Sequence, residues 1–159
     1  MKPTVYIETT VVSYYTARPS RDVVIAGRQE TTREVWPLMV RDFAPYISAL
    51  VLQEARQGDA QAAQKRLEAI KDFPVLNMTT SVEEMAERII HHLGIPREYP
   101  EDALHIAVAA MNGMDFLLTW NFAHINNALT RSTLRRIIEQ AGYVCPEICS
   151  PDELHGEKR

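Results

Sequence analysis

The chain contains too few cysteines and too few clustered histidines for a zinc site or a disulfide framework. Only two of its 159 residues are cysteines, Cys145 and Cys149. A Cys-x-x-x-Cys pair without a further Cys or grouped His cannot complete a tetrahedral zinc site. A disulfide between them is not expected in a reducing compartment. We therefore predict two partly buried free thiols.

Long apolar runs and glycine-rich loops are also missing. No apolar run approaches the roughly 20 residues that span a bilayer, so we expect no membrane association. The six glycines are isolated from one another, which excludes a glycine-rich phosphate loop. The chain passes from Met1-Lys2-Pro3 straight into a strand-like segment. From this start we expect no signal peptide and a cytoplasmic location.

An excess of positive charge is absent as well. The net charge of −4 argues against a broad basic face for passive nucleic-acid binding. It leaves open an enzyme that holds nucleic acid through a metal ion and a few arginines. A chain of 159 residues with 46% hydrophobic content fits one globular domain. We place this domain at residues 1–154 and a polar tail at residues 155–159.

Short β-branched or apolar runs alternate with helical patterns along the chain. The runs predict strands at residues 4–7, 46–47, 74–78, 115–119 and 143–145. The helical patterns predict helices at about residues 11–15, 20–43, 49–57, 60–70, 81–92, 100–111, 126–141 and 150–154. This alternation implies an α/β fold with a parallel sheet that is covered by helices on both faces.

Several residues predict where individual helices begin or bend. Ser20 is a candidate N-cap of the long second helix, and Pro37 within that helix predicts a kink or a break near Trp36. Ser81 followed by Glu84 has the spacing of a capping box, which predicts the start of another helix.

Four polar residues occupy the positions where a parallel sheet would bring them together: Glu8, Glu54, Asp102 and Asn121. Glu8 and Asn121 follow predicted strands, and binding sites form beyond the carboxyl ends of parallel strands. Three converging carboxylates repel one another unless a cation, a proton or a basic partner neutralises them. Oxygen ligands favour Mg²⁺ or Mn²⁺, and such ions stabilise the charge that develops on phosphorus. A divalent metal site that cleaves phosphodiesters is therefore the leading hypothesis.

Each of these residues also has a purely structural explanation. Asp102 lies in the first turn of a predicted helix, where an acid complements the helix dipole. Glu54 could be a solvent-facing helix residue, and Asn121 could cap the segment that follows it. Glu8 is harder to explain, because an acid that ends a buried strand is costly without a partner. The two threonine hydroxyls that follow Glu8 could bond its oxygens.

Three histidines lie near or within these segments. His105 follows Asp102 by one helical turn and could act as a general base. A lone histidine in an apolar helix is more often a hydrogen-bonded core residue, and we favour that interpretation. His91 and His92 have the positions of a C-terminal pair that interacts with a helix dipole.

Four segments that occur in order resemble the PIN-domain family, and within it the VapC-like toxins of bacterial type II toxin–antitoxin systems. The resemblance covers about residues 3–150. The segments are Val-Tyr-Ile-Glu8-Thr9-Thr10, Leu-Val-Leu-Gln-Glu54-Ala, Glu-Asp102-Ala-Leu-His-Ile-Ala and Asp-Phe-Leu-Leu-Thr119-Trp-Asn121-Phe.

The resemblance implies a three-layer α/β/α sandwich with a central parallel sheet and a Mg²⁺- or Mn²⁺-dependent endoribonuclease site. Glu8, Glu54 and Asp102 match the family's metal-holding acids, and Asn121 matches its fourth site position. Thr9 and Thr119 match positions whose hydroxyls support these side chains.

The resemblance also implies partners: an RNA substrate, a cognate antitoxin and a second copy of the chain in a homodimer. Arg18 and Arg21 are candidates for contacts with the RNA backbone, although they could be plain solvated arginines. The helix at residues 22–43 could offer an antitoxin groove or pack on the core. The apolar residues of that helix face are Val24, Val35, Trp36 and Met39.

Two departures from the family pattern leave alternatives open. Glu8 stands where the family usually has Asp, and Asn121 leaves three carboxylates where some members have four. A PIN-like module that cleaves weakly or not at all, and acts through RNA or protein contacts, is therefore the second hypothesis. An acidic-pocket signalling domain of the receiver type is a third. It fits poorly, because the acids are differently spaced and no lysine follows a late strand.

Overall fold

A computed structural model of the chain describes residues 1–154, which form an alternating series of strands and helices. The strands are β1 (Thr4–Ile7), β2 (Ala44–Ser48), β3 (Val75–Leu76), β4 (Phe116–Leu118) and β5 (Glu147–Cys149). The helices are α1 (Thr9–Thr16), α2 (Val23–Asp42), α3 (Ala49–Ala55), α4 (Ala60–Ile70), α5 (Thr80–Leu93), α6 (Pro100–Met111), α7 (Arg131–Gln140) and α8 (Pro151–Leu154). The predicted polar tail lies outside the described residues. None of the described helices is long and apolar enough to cross a membrane.

The five strands form one parallel sheet in the order β3-β2-β1-β4-β5. The order runs outward in both directions from the neighbouring strands β1 and β4, so the topological switch point lies between them. This architecture confirms the predicted parallel α/β fold. The sheet order of receiver-type signalling domains is 2-1-3-4-5. The structure therefore excludes the third hypothesis.

The core is built around the central strand and helix α6. Val5, Tyr6 and Ile7 of β1 have no exposed surface. In α6 every residue from Ala103 to Ala110 except Leu104 is buried. A strand covered on both faces reads as a continuous apolar run, which is why β1 and α6 were recognisable in the sequence. Burial of α6 places its first turn at the edge of the sheet.

The fifth strand lies further along the chain than predicted. The prediction at residues 143–145 is wrong, since Tyr143 and Val144 are exposed. Strand β5 pairs instead with β4, and Leu117 lies opposite Ile148 in this register. The tertiary pairing with β4 decides which short apolar run becomes the strand, and local composition does not reveal that choice.

Helix α7 starts five residues later than its predicted start at residue 126. The preceding segment is held in turns by asparagines. Asn126 donates its N–H to the carbonyl of Asn121 at 2.8 Å, and the Asn127 side chain accepts the N–H of Leu129 at 2.9 Å. Asparagine side chains compete in this way with helical hydrogen bonds, which delays the helix.

Two predicted helix caps are displaced. Asp22, rather than Ser20, caps α2 by accepting the N–H of Ile25 at 3.0 Å. Thr79, rather than Ser81, caps α5 by accepting the N–H of Val82 at 3.2 Å. In both cases another residue with a short side-chain oxygen lies two positions away, and such residues cap almost equally well.

Helix α2 continues through Pro37, so the predicted break is wrong, while the alternative of a kink near Trp36 stays a prediction. Pro37 is exposed, and a carbonyl that lacks its helical donor can bond water on the solvent side of the helix. The other face is fixed to the core by Trp36, whose ring stacks on Tyr15 at 4.0 Å between centroids.

The apolar face of α2 does not form the predicted antitoxin groove. Val35, Trp36 and Met39 are at most 7% exposed and belong to the core. Val24 alone of the four predicted residues is exposed, at 61%. The groove prediction is therefore wrong, and the alternative of core packing is correct.

Both cysteines are free thiols, as predicted. Cys145 is partly buried and Cys149 is buried. Burial raises the pKa of the Cys145 thiol to about 11 and that of Cys149 to about 12. Both thiols therefore stay protonated near neutral pH, which makes them poor nucleophiles.

We expect substitution of a central core residue to lower the free energy of unfolding much more than the same substitution at the surface. Leu117→Ala removes a fully buried side chain and should lower the free energy of unfolding by about 2–5 kcal/mol. Leu129→Ala, at a position that is 91% exposed, should change it by no more than about 0.5 kcal/mol. Urea denaturation measures both. Equal losses would contradict the assignment of β4 to the core.

Candidate active site

The candidate site lies at the carboxyl edge of the sheet, at the switch point between β1 and β4. Glu8 follows β1 directly, and its N–H donates to the carbonyl of Leu118 at 3.1 Å, which joins the ends of the two strands. Thr119 and Asn121 follow β4. The sequence of the two strand ends thus brings these polar residues together at the position where such sheets bind ligands.

The carboxylate of Glu8 is buried, with 4% exposure, and is held by three donors. It accepts the N–H of Thr10 at 3.0 Å, the Thr10 hydroxyl at 2.5 Å and the Thr119 hydroxyl at 2.6 Å. Glu8 is also the N-cap of α1. These bonds offset the cost of burying the carboxylate. Of the two threonines that follow Glu8, only Thr10 bonds it.

The hydroxyl of Thr9 bonds Glu54 instead, which lies across the site. Glu54 lies in α3, and its Oε1 accepts the Thr9 hydroxyl at 2.6 Å and the Nε2–H of His105 at 2.7 Å. The Glu54 side chain is 25% exposed, whereas that of His105 is 1% exposed. Glu54 is therefore not an ordinary solvent-facing helix residue.

A buried chain of hydrogen bonds supports His105 from behind. The Nδ1 atom of His105 lies 2.6 Å from the Tyr6 hydroxyl, which lies 2.8 Å from the Ser48 hydroxyl. The interpretation of His105 as a hydrogen-bonded core residue is confirmed. Its contact with Glu54, however, was not anticipated, because helical spacing does not show which strand or helix faces a residue.

The charges of the three carboxylates converge on His105. Burial lowers the pKa of His105, but the hydrogen bond to Glu54 and the negative charges of Glu8, Glu54 and Asp102 raise it, and the net shift is upward. Burial raises the pKa of Glu54, yet the bond and charge of His105 and the bond from Thr9 lower it overall. The two shifts agree with each other and indicate that the pair favours its charged form.

Asp102 is fixed from the opposite side of the site. It lies in the first turn of α6, as predicted, but its oxygens are held by side chains. Its Oδ1 accepts the Nδ2–H of Asn121 at 3.0 Å, and its Oδ2 lies 2.6 Å from Nδ1 of His124. The side-chain Oδ1 of Asn121 accepts the N–H of His124 at 2.9 Å. Asp102 therefore does more than complement a helix dipole.

His124 was missed by the sequence reasoning. A usable signal existed in the spacing Asn121-x-x-His124, in which an asparagine caps the turn and directs the histidine backbone towards itself. That spacing fixes the histidine beside Asn121. Only the fold shows that Asp102 lies there too.

Thr119 completes the connection between the two sides. It is fully buried, and its hydroxyl donates to Glu8 while accepting the N–H of Asn121 at 2.9 Å. Asn121 in turn bonds Asp102. Hydrogen bonds thus connect three of the four predicted residues, Glu8, Asn121 and Asp102, through Thr119. Glu54 is bonded to Thr9 and His105, and the charges of Glu8 and Asp102 act on the same His105, which places Glu54 in one polar cluster with the others.

The predicted RNA contacts Arg18 and Arg21 are exposed and lie between α1 and α2. Among residues 1–154, neither guanidinium forms a salt bridge with the cluster, and the Arg18 carbonyl accepts a bond from Gln29 at 3.1 Å. A different arginine lies beside the site: Arg28 of α2 is 5.1 Å from the ring centroid of Phe122.

The donor chemistry of the cluster fits a hard divalent cation, since three carboxylates and an amide supply only oxygens suited to Mg²⁺ or Mn²⁺. Within residues 1–154, no group of three or more His, Cys, Asp or Glu side chains is arranged to hold a metal ion by itself. Mg²⁺ commonly binds one or two carboxylates and keeps several waters, so the donor set fits without a three-ligand cage.

We expect His105 to stabilise the fold through its two hydrogen bonds. His105→Leu removes the hydrogen bonds of its ring to Glu54 and Tyr6, so that Glu54 keeps only Thr9 and the Tyr6 hydroxyl keeps only Ser48. The loss of these two buried bonds should lower the free energy of unfolding by about 1–3 kcal/mol. His91→Leu, at an exposed position in α5, is the matched control and should have little effect. Urea denaturation distinguishes the two variants. A His105→Leu protein as stable as the wild type would show that the buried chain contributes nothing.

Comparisons with known proteins identify the fold. No protein-family model and no curated protein sequence matches the chain. Among solved structures, the VapBC2 complex of Rickettsia felis, bound to a DNA fragment from its promoter, matches with a TM-score of 0.58 at 12% identity, over 92% of this chain and 98% of that one. Mycobacterium tuberculosis VapC20, described as a Sarcin-Ricin loop cleaving toxin, matches with a TM-score of 0.56 at 18% identity, over 88% of this chain and 96% of that one. The resemblance to VapC-like PIN-domain toxins is thereby confirmed at the level of the fold: the chain adopts their PIN-like α/β/α architecture.

Proposed function

We propose that the chain is a Mg²⁺- or Mn²⁺-dependent endoribonuclease that acts as the toxin of a toxin–antitoxin pair. The observation that carries this proposal is the polar cluster of Glu8, Glu54, Asp102 and Asn121 at the switch point of the sheet. The fold shared with VapC20, which is described as a Sarcin-Ricin loop cleaving toxin, supports an RNA substrate.

Glu8, Glu54 and Asp102 would hold the cation, one or two of them directly and the rest through bound water. Both protein donors to Glu54 within residues 1–154 reach Oε1, which leaves Oε2 for an external ligand. When bound, a divalent cation would supply Lewis-acid stabilisation of the charge on the scissile phosphate and would activate a water for attack. Asn121 contributes no charge, so the site has three carboxylates rather than four.

Hydrogen bonds within the protein fix the orientation of the carboxylates. Glu8 is fixed by Thr10 and Thr119. Asp102 is fixed by Asn121 and His124. Because these bonds set the carboxylates before any ligand arrives, little rearrangement is needed when the substrate binds. Arg18 and Arg21 are exposed and remain candidates for contacts with the RNA backbone.

We also propose a cognate antitoxin, a homodimer and a cytoplasmic site of action. The structural neighbour from Rickettsia felis was solved as a VapBC2 complex, which supports a protein partner. A basic side chain from such a partner would neutralise the clustered carboxylates in place of a cation. The buried face of α2 is not available for this contact.

A second candidate function is a PIN-like module that binds RNA or protein without cleaving it. One observation favours it. Glu8 is engaged by three donors and caps α1, so it serves the fold without any ligand.

We expect the purified chain, free of antitoxin, to cleave structured RNA when Mg²⁺ or Mn²⁺ is present. Asp102→Asn should reduce the cleavage rate by about 100-fold or more, because a lost carboxylate removes several kcal/mol of transition-state stabilisation. Glu101→Gln is the matched control, since it removes a neighbouring charge from the same first turn of α6. Gel analysis of end-labelled RNA measures the rates.

Each outcome of this experiment separates the hypotheses. An equal loss of cleavage rate in Asp102→Asn and Glu101→Gln would show that the effect comes from the charge at the helix N-terminus. Undiminished cleavage by Asp102→Asn would show that Asp102 does not belong to the active site. Absence of cleavage by the wild type across varied RNAs would favour the non-cleaving module.

A further inference from the structure

Exposed aromatic side chains are concentrated beside the carboxylate cluster. Among the large hydrophobic side chains of residues 1–154 that are exposed, three are aromatic: Tyr99 at 54%, Phe122 at 40% and Tyr143 at 37%. The Tyr99 ring lies 5.5 Å from the ring of His124, which contacts Asp102. Phe122 directly follows Asn121. Two of the three exposed rings therefore border the site.

Arg28 adds a planar cation to this surface. Its guanidinium carbon lies 5.1 Å from the Phe122 ring centroid and 5.5 Å from that of Trp120, which are cation–π distances. No carboxylate within residues 1–154 forms a salt bridge with Arg28. Its charge is therefore not matched by a close acidic partner in the described part of the chain, although it lies next to an acidic site.

Trp120 holds this surface at a fixed position relative to the cluster. It is 7% exposed, and its indole Nε1–H donates to Thr32 at 2.9 Å. The Thr32 hydroxyl donates in turn to the Arg28 carbonyl at 2.6 Å. The backbone N–H of Trp120 donates at 3.0 Å to Thr10, which bonds Glu8. The aromatic surface and the carboxylates are thus parts of one rigid arrangement.

We propose that Phe122, Arg28 and Tyr99 form a base-stacking surface that holds unpaired nucleotides of single-stranded RNA beside the carboxylate cluster. The inference rests on the proposed ribonuclease function and assigns the side chains of this chain that would hold the nucleotides. Aromatic rings and guanidinium planes stack on the face of any base, and arginine also pairs with phosphate. Bases inside a duplex have covered faces, so the surface selects unpaired segments.

The charge of the protein supports this mode of binding. A chain with a net charge of −4 cannot hold RNA through a broad basic face. Stacking does not depend on net charge, and each stacked base contributes enough binding free energy to position a strand. One arginine that has no acidic partner among residues 1–154 then suffices to attract the phosphate next to the stacked base.

The test is direct binding of RNA to the full chain in an Asp102→Asn background, which separates binding from cleavage. The probe is a single-stranded RNA of about 12 nucleotides that contains 2-aminopurine, whose fluorescence is quenched when it stacks. The same strand annealed to its complement is the duplex control. We expect tighter binding of the single strand, with quenching.

Phe122→Leu should raise the dissociation constant about tenfold and abolish the quenching, because it keeps an apolar side chain but removes the ring. Tyr99→Leu should weaken binding as well. Tyr143→Leu removes a ring of similar exposure away from the site and is the matched control. Phe122→Trp should restore binding and quenching, which excludes misfolding as the cause of the loss.

Two results would overturn the inference alone. One is a Phe122→Leu protein that binds and quenches the probe as Tyr143→Leu does, while the wild type still cleaves RNA. The other is protection of Phe122 by a protein partner without any nucleotide binding, which would assign the surface to protein contact. If the wild type neither binds nor cleaves RNA, the proposed function fails together with the inference.

Discussion

The partial or full burial of three carboxylates at one sheet edge is the constraint on which the rest of this structure depends. Glu8, Glu54 and Asp102 all act on His105, and each is held by neutral or cationic donors of the protein. A cluster of this kind adds nothing to stability by itself, because burying carboxylates costs free energy. Its retention at the switch point is better explained by a ligand than by the needs of the fold.

The sheet topology determines how the cluster is assembled. Parallel strands β1 and β4 end side by side, so Glu8 and Thr119 meet although they are far apart in sequence. Burial of α6 brings Asp102 and His105 to the same edge from a helix. The exposed aromatic side chains follow from the same arrangement, since the loop that begins with Trp120 leaves the end of β4. A change in strand order would separate all of these groups.

Residues whose placement depends on a strand end were predictable from the sequence. Glu8 and Asn121 follow apolar runs directly, and the parallel architecture then places them together. The role of His124 was not predictable, because its contact with Asp102 is tertiary. The same holds for Arg28, which reaches the site from α2. Strand β5 was misplaced at residues 143–145 for a related reason: its position depends on pairing with β4 rather than on its own composition.

Direct titration with Mn²⁺ tests most plainly whether the carboxylate cluster binds a divalent cation. Electron paramagnetic resonance measures free Mn²⁺ and hence the bound fraction. We expect saturable binding that Glu54→Gln weakens strongly and that Glu68→Gln, at an exposed position of α4, leaves unchanged. Equal binding by both variants, or no saturable binding by the wild type, would contradict this expectation.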